Sequence, residues 1–440
     1  MTRVLAHPVY RRLFLAQVVA LTGTGLATVA LGLLAFDLAG GDAGIVLGTA
    51  FAVKMVAYVA IAPLAATLLG GLSRKTVLVA SDVVRLAAAL ALPFVGQVWQ
   101  VYVLIFVLQA ASAAFMPTFQ AVIPAVLPDE DEYTEALSLS RLADDLEAVL
   151  SPMLAGLLLL VVSSSTLFFG TAAGFAGSAL LVLSTVLPRV TGHADAASAD
   201  GASADGADAA DAAALRPSLG TRLRRGATLL ARPGPLRPVL ALNLAVAAAG
   251  AFVLVQTVVI VRETFGLGSA WVPLALAANG AGSMAAALLL PRVLGRRSER
   301  TVMLTGAAAL AASMALVPLA LWAGRAASPV VGLGAICVLW VGIGLGWSCA
   351  ETPVGRLIRR HVPTADRPTA FAAQFSLSHA CWLVTYPLAG WLGTISLPAT
   401  AWLLTGVTLA AGLVAARWWP AEGGADRRGA ATADAASVAA

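Results

Sequence analysis

The chain has 440 residues, of which 59% are hydrophobic and only 12% are charged. Soluble domains carry about 25% charged residues. The 28 basic and 23 acidic residues present here cannot form the polar shell that a soluble protein of this size needs. A water-soluble fold is therefore excluded, and we expect most of the apolar surface to face lipid.

Apolar stretches of roughly 20 residues follow one another along the chain, and each is long enough to cross a hydrocarbon layer of about 30 Å as a helix. They predict an all-α integral membrane protein with about twelve spans. The first six lie near residues 12–36, 44–69, 76–95, 100–124, 136–162 and 166–187. The other six lie near residues 236–260, 271–292, 301–323, 329–351, 368–391 and 396–417.

Basic residues predict the orientation of these spans, because Lys and Arg are retained on the cytoplasmic side during insertion. Of the 28 basic residues, 24 fall on one side of the predicted spans. Arg262 and Arg325 fall in the opposite loops, and Lys54 and Arg85 lie within spans. We therefore expect both termini in the cytoplasm, in agreement with an even number of spans.

The predicted spans form two sets of six. The first set occupies residues 1–187 and the second residues 236–417, which a tail over 418–440 follows. Residues 188–235 contain an Ala, Asp, Gly and Ser tract over 192–214, which cannot bury enough apolar surface to offset the entropy of ordering. We expect a disordered cytoplasmic linker there. Two halves with a site near the membrane midplane are the layout of secondary transporters.

Residues 62–79, APLAATLLGGLSRKTVLV, resemble the cytoplasmic loop motif of the major facilitator superfamily (MFS). Four positions fit the motif, namely Pro63, Gly71, Arg74 and Lys75. Gly70 stands where the motif has an acidic residue. The resemblance implies an MFS fold over about residues 7–417 and a cytoplasmic gate that includes Arg74 and Lys75.

Within the superfamily, the chain resembles bacterial exporters of drugs and siderophores and nickel-resistance proteins. Three segments carry this resemblance: HPVYRRLFLAQ from His7, LSPMLAGLLLL from Leu150 and FAAQFSLSHACWLVTYPLAGWL from Phe371. It implies proton-coupled efflux by alternating access, by a monomer in the bacterial cytoplasmic membrane. A cation such as nickel or cobalt is the first cargo hypothesis, and hydrophobic drugs or siderophores are the alternative. A membrane receptor or scaffold is the alternative from a different class.

The fifth span carries four ionisable residues, which are costly at membrane depth and therefore functional candidates. They are Arg141, Asp144, Asp145 and Glu147. At 1.5 Å per residue, Glu147 lies about 16 Å into a helix that starts near residue 136. We predict that Glu147, with Asp144 and Asp145, couples transport to protons. An ion-pair network of the two aspartates with Arg141 and the acidic loop over 129–132 is the alternative.

One face of the eleventh span combines a histidine with aromatic residues. Phe375, His379, Trp382 and Tyr386 recur at helical spacing. An imidazole can ligate a transition metal or titrate near neutral pH. We predict that His379 and Tyr386 bind substrate and that His379 is a metal ligand. The alternative is that His379 is a hydrogen-bonded packing residue.

Two further charged positions complete the candidate site and gate. Lys54 lies about ten residues into the second span, which neighbours the eleventh span in the superfamily. We therefore expect Lys54 near His379 or near a carboxylate of the fifth span, as a substrate-binding or charge-pairing group. Glu351 ends the tenth span and precedes Arg356, and we predict that both belong to the cytoplasmic gate.

Uncharged polar residues inside spans can line a cavity, and we predict substrate binding by Gln109, Asn243 and Asn279. Hydrogen bonds between helices are the alternative. Asp82 and Arg85 lie three residues apart and can satisfy each other, so we expect a structural pair.

The chain has no Walker-type phosphate-binding motif and no zinc, cysteine or serine catalytic motif. We therefore predict a transporter that is not an enzyme and that uses no cofactor. Its expected partners are a small-molecule or ion substrate, protons and the lipid bilayer. Basic residues at the loop ends serve topology and contacts with anionic lipid, so nucleic acid is not an expected partner.

Overall fold

A computed structural model describes residues 2–68, 72–127, 129–187, 219–363 and 366–420. Within these residues, twelve helices have 17 or more residues. The first six are α1 (Pro8–Ala39), α2 (Ala43–Leu68), α3 (Arg74–Ala91), α4 (Val98–Val126), α5 (Glu130–Leu158) and α6 (Leu167–Leu183). The other six are α7 (Arg237–Val259), α8 (Trp271–Leu294), α9 (Glu299–Ala326), α10 (Pro329–Glu351), α11 (Arg367–Ile395) and α12 (Leu397–Trp418).

The all-helical architecture predicted from the sequence is confirmed, and a helix lies over each predicted span. By length and composition, the described residues contain nine segments able to cross a membrane, one of which, Pro8–Val59, runs over α1 and part of α2. Polar residues keep α5 and α11 out of this set. The number of spans and their orientation remain predictions.

Serine side chains fix the beginning of several helices. Ser73 Oγ accepts a hydrogen bond from the Thr76 amide at 3.1 Å, and this bond satisfies one of the amides that the first turn of α3 leaves free. The same cap occurs at the first turns of α9, α10 and α12, from Ser298, Ser328 and Ser396. These caps explain why the helices start where the short loops end.

Helix contacts repeat between the two halves, which we define as α1–α6 and α7–α12. In the first half, α1 packs on α5 and α6, and α4 packs on α2 and α3. In the second half, α7 packs on α11 and α12, and α10 packs on α8 and α9. The main contacts between the halves are those of α2 with α11 and of α8 with α5. Each of these two contacts becomes the other when the halves are exchanged. The fold is thus two matched six-helix units.

A shorter helix, Leu219–Ala231, packs on the beginning of α11, and we call it the linker helix. Arg225 forms an ion pair with Asp366 at 2.8 Å, and Leu230 is fully buried. This segment belongs to the region predicted as a disordered linker. The helix forms there because it can bury a leucine and pair an arginine against the second half. The low-complexity tract over 192–214 lies outside the described residues.

The two halves contact each other at the end of the bundle away from the linker helix, which we call the far end. There α2 crosses α11 closely, since a Cβ on Gly48 would lie 2.6 Å from the Tyr386 carbonyl oxygen. The guanidinium of Arg262 lies 5.0 Å from the Phe36 ring centroid. A Cβ on Gly156 of α5 would lie 3.2 Å from a side-chain carbon of Pro273. The far end is therefore closed in this structure.

Candidate transport site

The middle of α2 meets the middle of α11 through aromatic rings. The Tyr58 ring lies 5.9 Å from the His379 ring and 6.5 Å from the Phe375 ring, measured between centroids. Lys54 is one turn before Tyr58, so both side chains lie on the same face of α2. This face brings a cationic side chain to the helix that carries His379.

The His379 ring is fixed by its own helix. Its Nδ1 lies 2.7 Å from the Phe375 carbonyl oxygen, and its ring stacks on the Phe375 ring at 3.9 Å. A carbonyl oxygen can only accept, so we assign the proton to Nδ1. In the neutral ring, Nε2 then keeps the lone pair and can receive a proton, a hydrogen bond or a metal ion.

The structure brings three of the sequence-predicted residues together. Lys54 on α2 interacts electrostatically with the Glu147 carboxylate on α5. The charge of Lys54 also acts on the His379 imidazole on α11. The group therefore joins two helices of the first half to one helix of the second half. The roles of these residues in transport remain predictions.

Glu147 lies against α1 at a glycine. A Cβ added to Gly25 would overlap Glu147 Oε1 and the side chain of Ser151. Ser151 follows Glu147 by one helical turn and is buried, so both residues face α1. The helical parts of α1 and α5 can approach this closely because residue 25 has no side chain.

The remaining acidic residues of α5 were also predicted to couple protons. Asp144 and Asp145 lie within α5, but their side chains lie outside the described part of the structure, as does that of Arg141. Their participation therefore remains a prediction.

Tyr386 lies in an aromatic cluster between the site and the far end. Its ring centroid is 5.0 Å from Phe51 on α2 and 5.0 Å from Trp382, and Trp382 is 5.0 Å from Trp347 on α10. Tyr386 and Trp382 are both buried. The structure therefore places Tyr386 beside the site, as packing that connects α2 with α11.

The uncharged polar residues take part in contacts between helices. Asn243 and Gln374 exchange two side-chain hydrogen bonds, of 3.2 and 2.8 Å, and both are buried. Asn279 donates to the Trp340 carbonyl oxygen at 3.2 Å. Gln109 is buried on α4. For Asn243 and Asn279, the observed partners are those of the alternative, in which amides join neighbouring helices.

Lys75, one of the predicted gate residues, has its partners within the first half. Lys75 donates to the carbonyl oxygens of Leu183 and Thr185, at 2.7 Å each. It thus binds the end of α6, where the helix dipole favours a cation. Arg74 is the first residue of α3.

On the second half, two arginines that follow Glu351 form ion pairs with the beginning of α9. Arg356 and Arg360 pair with Glu299 at 3.4 and 3.7 Å. They do so because a separate short helix, Val354–His361, follows α10 and directs them to the beginning of α9. Glu351, the last residue of α10, interacts electrostatically with the Cys381 thiol.

Asp82 and Arg85 form a buried ion pair, as the sequence spacing predicts. Ser178 on α6 donates a hydrogen bond of 2.7 Å to Asp82. The Arg85 guanidinium lies 4.2 Å from the Phe115 ring centroid and 4.7 Å from that of Phe175. The pair therefore joins α3, α4 and α6, away from the contact between the halves.

A metal site would need several ligands on one ion. The described residues contain no group of three or more His, Cys, Asp and Glu side chains able to hold a metal. His379 could supply one nitrogen to such an ion. The charge of Lys54 acts on this imidazole, and Lys54 in turn interacts electrostatically with Glu147. An ammonium group beside the imidazole disfavours a divalent cation.

Sequence reasoning missed Tyr58 and Gly25. Tyr58 is marked by its spacing, four residues after Lys54, which puts an aromatic ring and a cation on one helix face. The pattern around Gly25 gives no such sign, because glycine is frequent throughout the chain.

Two matched six-helix halves, with ionisable and aromatic side chains gathered between them, are the layout typical of membrane transporters. Residues 13–350 match the family model of the Major Facilitator Superfamily. The chain therefore belongs to this superfamily of membrane transporters, as its loop motif indicated.

Similar proteins agree with this assignment. An uncharacterized MFS-type transporter of Bacillus subtilis (strain 168), YfiS, is 28% identical over 131 residues, which cover 30% of this chain and 31% of that protein. The match thus spans about a third of this curated relative.

Solved structures share the fold at low identity. The nucleoside transporter NupG has a TM-score of 0.67 at 13% identity, with 93% of this chain and 98% of that chain covered. A POT family transporter in complex with a thioalcohol conjugated peptide has a TM-score of 0.65 at 12% identity, with 92% of this chain and 95% of that chain covered. A bacterial metal transporter has a TM-score of 0.60 at 16% identity, with 93% of this chain and 98% of that chain covered.

Proposed function

We propose that this MFS transporter moves its cargo by proton-coupled alternating access, with Glu147 as the group that takes up and releases the proton. The observation that carries the proposal is the electrostatic interaction of Glu147 with Lys54 in the middle of the bundle. An isolated carboxylate at membrane depth is costly, whereas one paired with an ammonium can exist in both protonation states.

Proton and cargo would be linked through this pair. When Glu147 is ionised, Lys54 balances its charge; when Glu147 is protonated, Lys54 loses that partner. The two protonation states therefore present different charges to a cargo between Tyr58 and His379. Because the far end is closed here, this state would exchange cargo with the side of the linker helix. Asp144 and Asp145 are proposed to assist proton transfer along α5.

The direction of transport is proposed from the resemblance to exporters. With both termini in the cytoplasm, the far end faces the outside of a bacterial cytoplasmic membrane. Protons would enter there and cargo would leave by the same end. We propose that the transporter works as a monomer, and that Arg74, Lys75, Glu351 and Arg356 contribute to the cytoplasmic gate.

The surroundings of His379 favour an organic cargo with an aromatic or hydrophobic part. Tyr58 and Phe375 offer ring surfaces next to His379, and aromatic stacking contributes about 0.5–1.5 kcal/mol for each pair. This cargo class includes hydrophobic drugs and siderophores.

Nickel or cobalt is the second candidate cargo, and one observation favours it. The hydrogen bond from Nδ1 to the Phe375 carbonyl leaves the lone pair of His379 Nε2 free to bind a metal, and hydrogen bonds of this kind orient the ring of metal-binding histidines. Lys54 weighs against this candidate because it places a like charge beside a small divalent ion, which has no ring contacts to offset the repulsion, whereas an aromatic cation such as ethidium can stack on Tyr58 and Phe375.

The cargo class and the coupling are tested by one proton-flux experiment. The purified protein is placed in liposomes that contain a pH-sensitive dye, and ethidium, Ni²⁺ or Co²⁺ is added. We expect ethidium to move protons with the wild type and with Glu132→Gln, a carboxylate variant near the start of α5, but not with Glu147→Gln. Proton movement when Ni²⁺ or Co²⁺ is added, but not when ethidium is added, would favour the second candidate cargo. Equal proton flux in Glu147→Gln and wild type would refute the role of Glu147.

A further inference from the structure

Two glycines of α1, which are two residues apart and therefore point to different sides of the helix, meet different helices. A Cβ on Gly23 would lie 3.0 Å from the Thr171 carbonyl oxygen and 3.4 Å from the Gly174 Cα, both on α6. A Cβ on Gly25 would instead overlap Glu147 Oε1 and Ser151 on α5. Gly25 is therefore the point at which α1 touches the carboxylate itself.

Backbone conformation does not explain a glycine at this position. Residue 25 lies inside a continuous helix and has no positive φ. Glycine in a helix interior is less favourable than alanine by about 0.8–1.0 kcal/mol. The gain is space, because the side chain of Ser151 and the carboxylate of Glu147 together occupy the volume that a side chain at residue 25 would fill.

We propose that Gly25 is a positioning residue for Glu147: it forms the notch in α1 that holds the carboxylate in contact distance of the α1 backbone and in reach of Lys54. The inference rests on the proposed role of Glu147 in proton coupling. It adds a residue that bears no charge and that sets where the proton is held.

The charged groups around this notch are few. Lys54 faces it from α2 and acts also on His379 of α11. The sequence of α5 adds Arg141, Asp144 and Asp145. The other helices that pack on α1 or α5 bring no charge to this depth: α1 has none between Arg12 and Asp37, and α8 has none before Arg292. Moving the carboxylate therefore changes chiefly its relation to Lys54 and to the rest of α5.

The test is a pH titration of the Glu147 carboxyl group, which needs no knowledge of the cargo. Infrared difference spectra of the full-length protein in liposomes record the protonated carboxyl band, and the band lost in Glu147→Gln identifies the residue. We expect Gly25→Ala to move the titration midpoint of this band by about half a pH unit or more. Gly23→Ala, the matched change toward α6, should leave the midpoint in place even where it lowers thermal stability.

A second variant separates the carboxylate from the neighbouring serine. In Gly25→Ala/Ser151→Gly the overlap with Ser151 is removed, so the helices can pack again, but the overlap with Glu147 stays. We expect thermal stability to recover while the midpoint stays shifted. An unshifted titration midpoint in Gly25→Ala, or a wild-type midpoint in the double variant, would refute the proposal that Gly25 positions the Glu147 carboxylate. If no band is lost in Glu147→Gln, the proposed function itself fails.

Discussion

The ring of Tyr58 on α2 lies 5.9 Å from the ring of His379 on α11, and this contact joins the two halves at the depth of Lys54. Lys54 shares the helix face of Tyr58, and it interacts with both Glu147 and His379. The contact is thus where a cargo, a proton-binding carboxylate and the boundary between the halves can meet.

The first prediction concerns the charge balance of Lys54 and Glu147. Lys54→Gln should remove the positive charge that acts on the Glu147 carboxylate, and removing one of two opposite buried charges costs about 3–5 kcal/mol. Glu147→Gln should leave an unpaired ammonium at a similar cost. The double variant should melt at a higher temperature than either single variant, in thermal unfolding of the detergent-solubilised protein. Additive losses in the double variant would mean that the two charges do not act as a pair.

The second prediction concerns the aromatic contact. Tyr58→Ala removes a ring that packs on His379 and Phe375. Loss of one aromatic pair, about 0.5–1.5 kcal/mol, should weaken ethidium binding about two- to tenfold. Tyr58→Phe retains the ring and is the matched control, which should bind nearly as the wild type does. Equal ethidium affinity in Tyr58→Ala and Tyr58→Phe, measured by fluorescence anisotropy, would place the cargo elsewhere.

The third prediction concerns closure of the far end. Gly48→Val would bring a Cβ within 2.6 Å of the Tyr386 carbonyl oxygen and 3.1 Å of the Gly390 Cα. Neither backbone atom can move away alone, and such overpacking costs about 1–3 kcal/mol. We expect the population of the state with the closed far end to fall about tenfold for each 1.4 kcal/mol. A cysteine placed at Gly41, in a protein whose native cysteines are replaced, should react faster with an impermeant maleimide.

Gly334→Val provides the control for that experiment, because a Cβ on Gly334 meets no atom within 4 Å. This variant should leave both labelling and transport close to wild type. Unchanged labelling in Gly48→Val would mean that the crossing of α2 and α11 does not limit opening of the far end.

The fourth prediction separates the buried pair of α3 from the transport site. Asp82→Asn should destabilise the protein by about 3–5 kcal/mol, because Arg85 would keep its charge without a partner. Asp82→Asn/Arg85→Met should recover much of that loss in thermal unfolding. Transport by the folded fraction should keep its wild-type pH profile. A changed pH profile would instead connect Asp82 and Arg85 with proton coupling.

Much of the fold could be predicted from the sequence because lipid imposes a simple rule. A helix must satisfy its backbone internally and be apolar over about 20 residues, so composition alone locates segments such as α7 and α10. The linker helix escaped prediction because its neighbours are low in complexity. It forms through long-range contacts, the Arg225–Asp366 ion pair and the burial of Leu230, which a local pattern does not contain.

The candidate site could be predicted in part for a similar reason. A charge inside a span is conspicuous, and this drew attention to Lys54, Glu147 and His379. An amide is not informative in this way: Asn243 is bonded to Gln374 between two helices, and the sequence alone allows either this role or substrate binding. Which helix an amide faces depends on packing, and a single sequence does not specify it.

The most direct measurement of the central claim compares concentrative transport with exchange in Glu147→Gln. Liposomes containing the purified protein are given a pH gradient, and accumulation of ethidium is followed; a second assay measures exchange of ethidium at equal pH. We expect the wild type to concentrate ethidium with the gradient, and Glu147→Gln to exchange it without concentrating it. Accumulation by Glu147→Gln to the wild-type level would contradict the account.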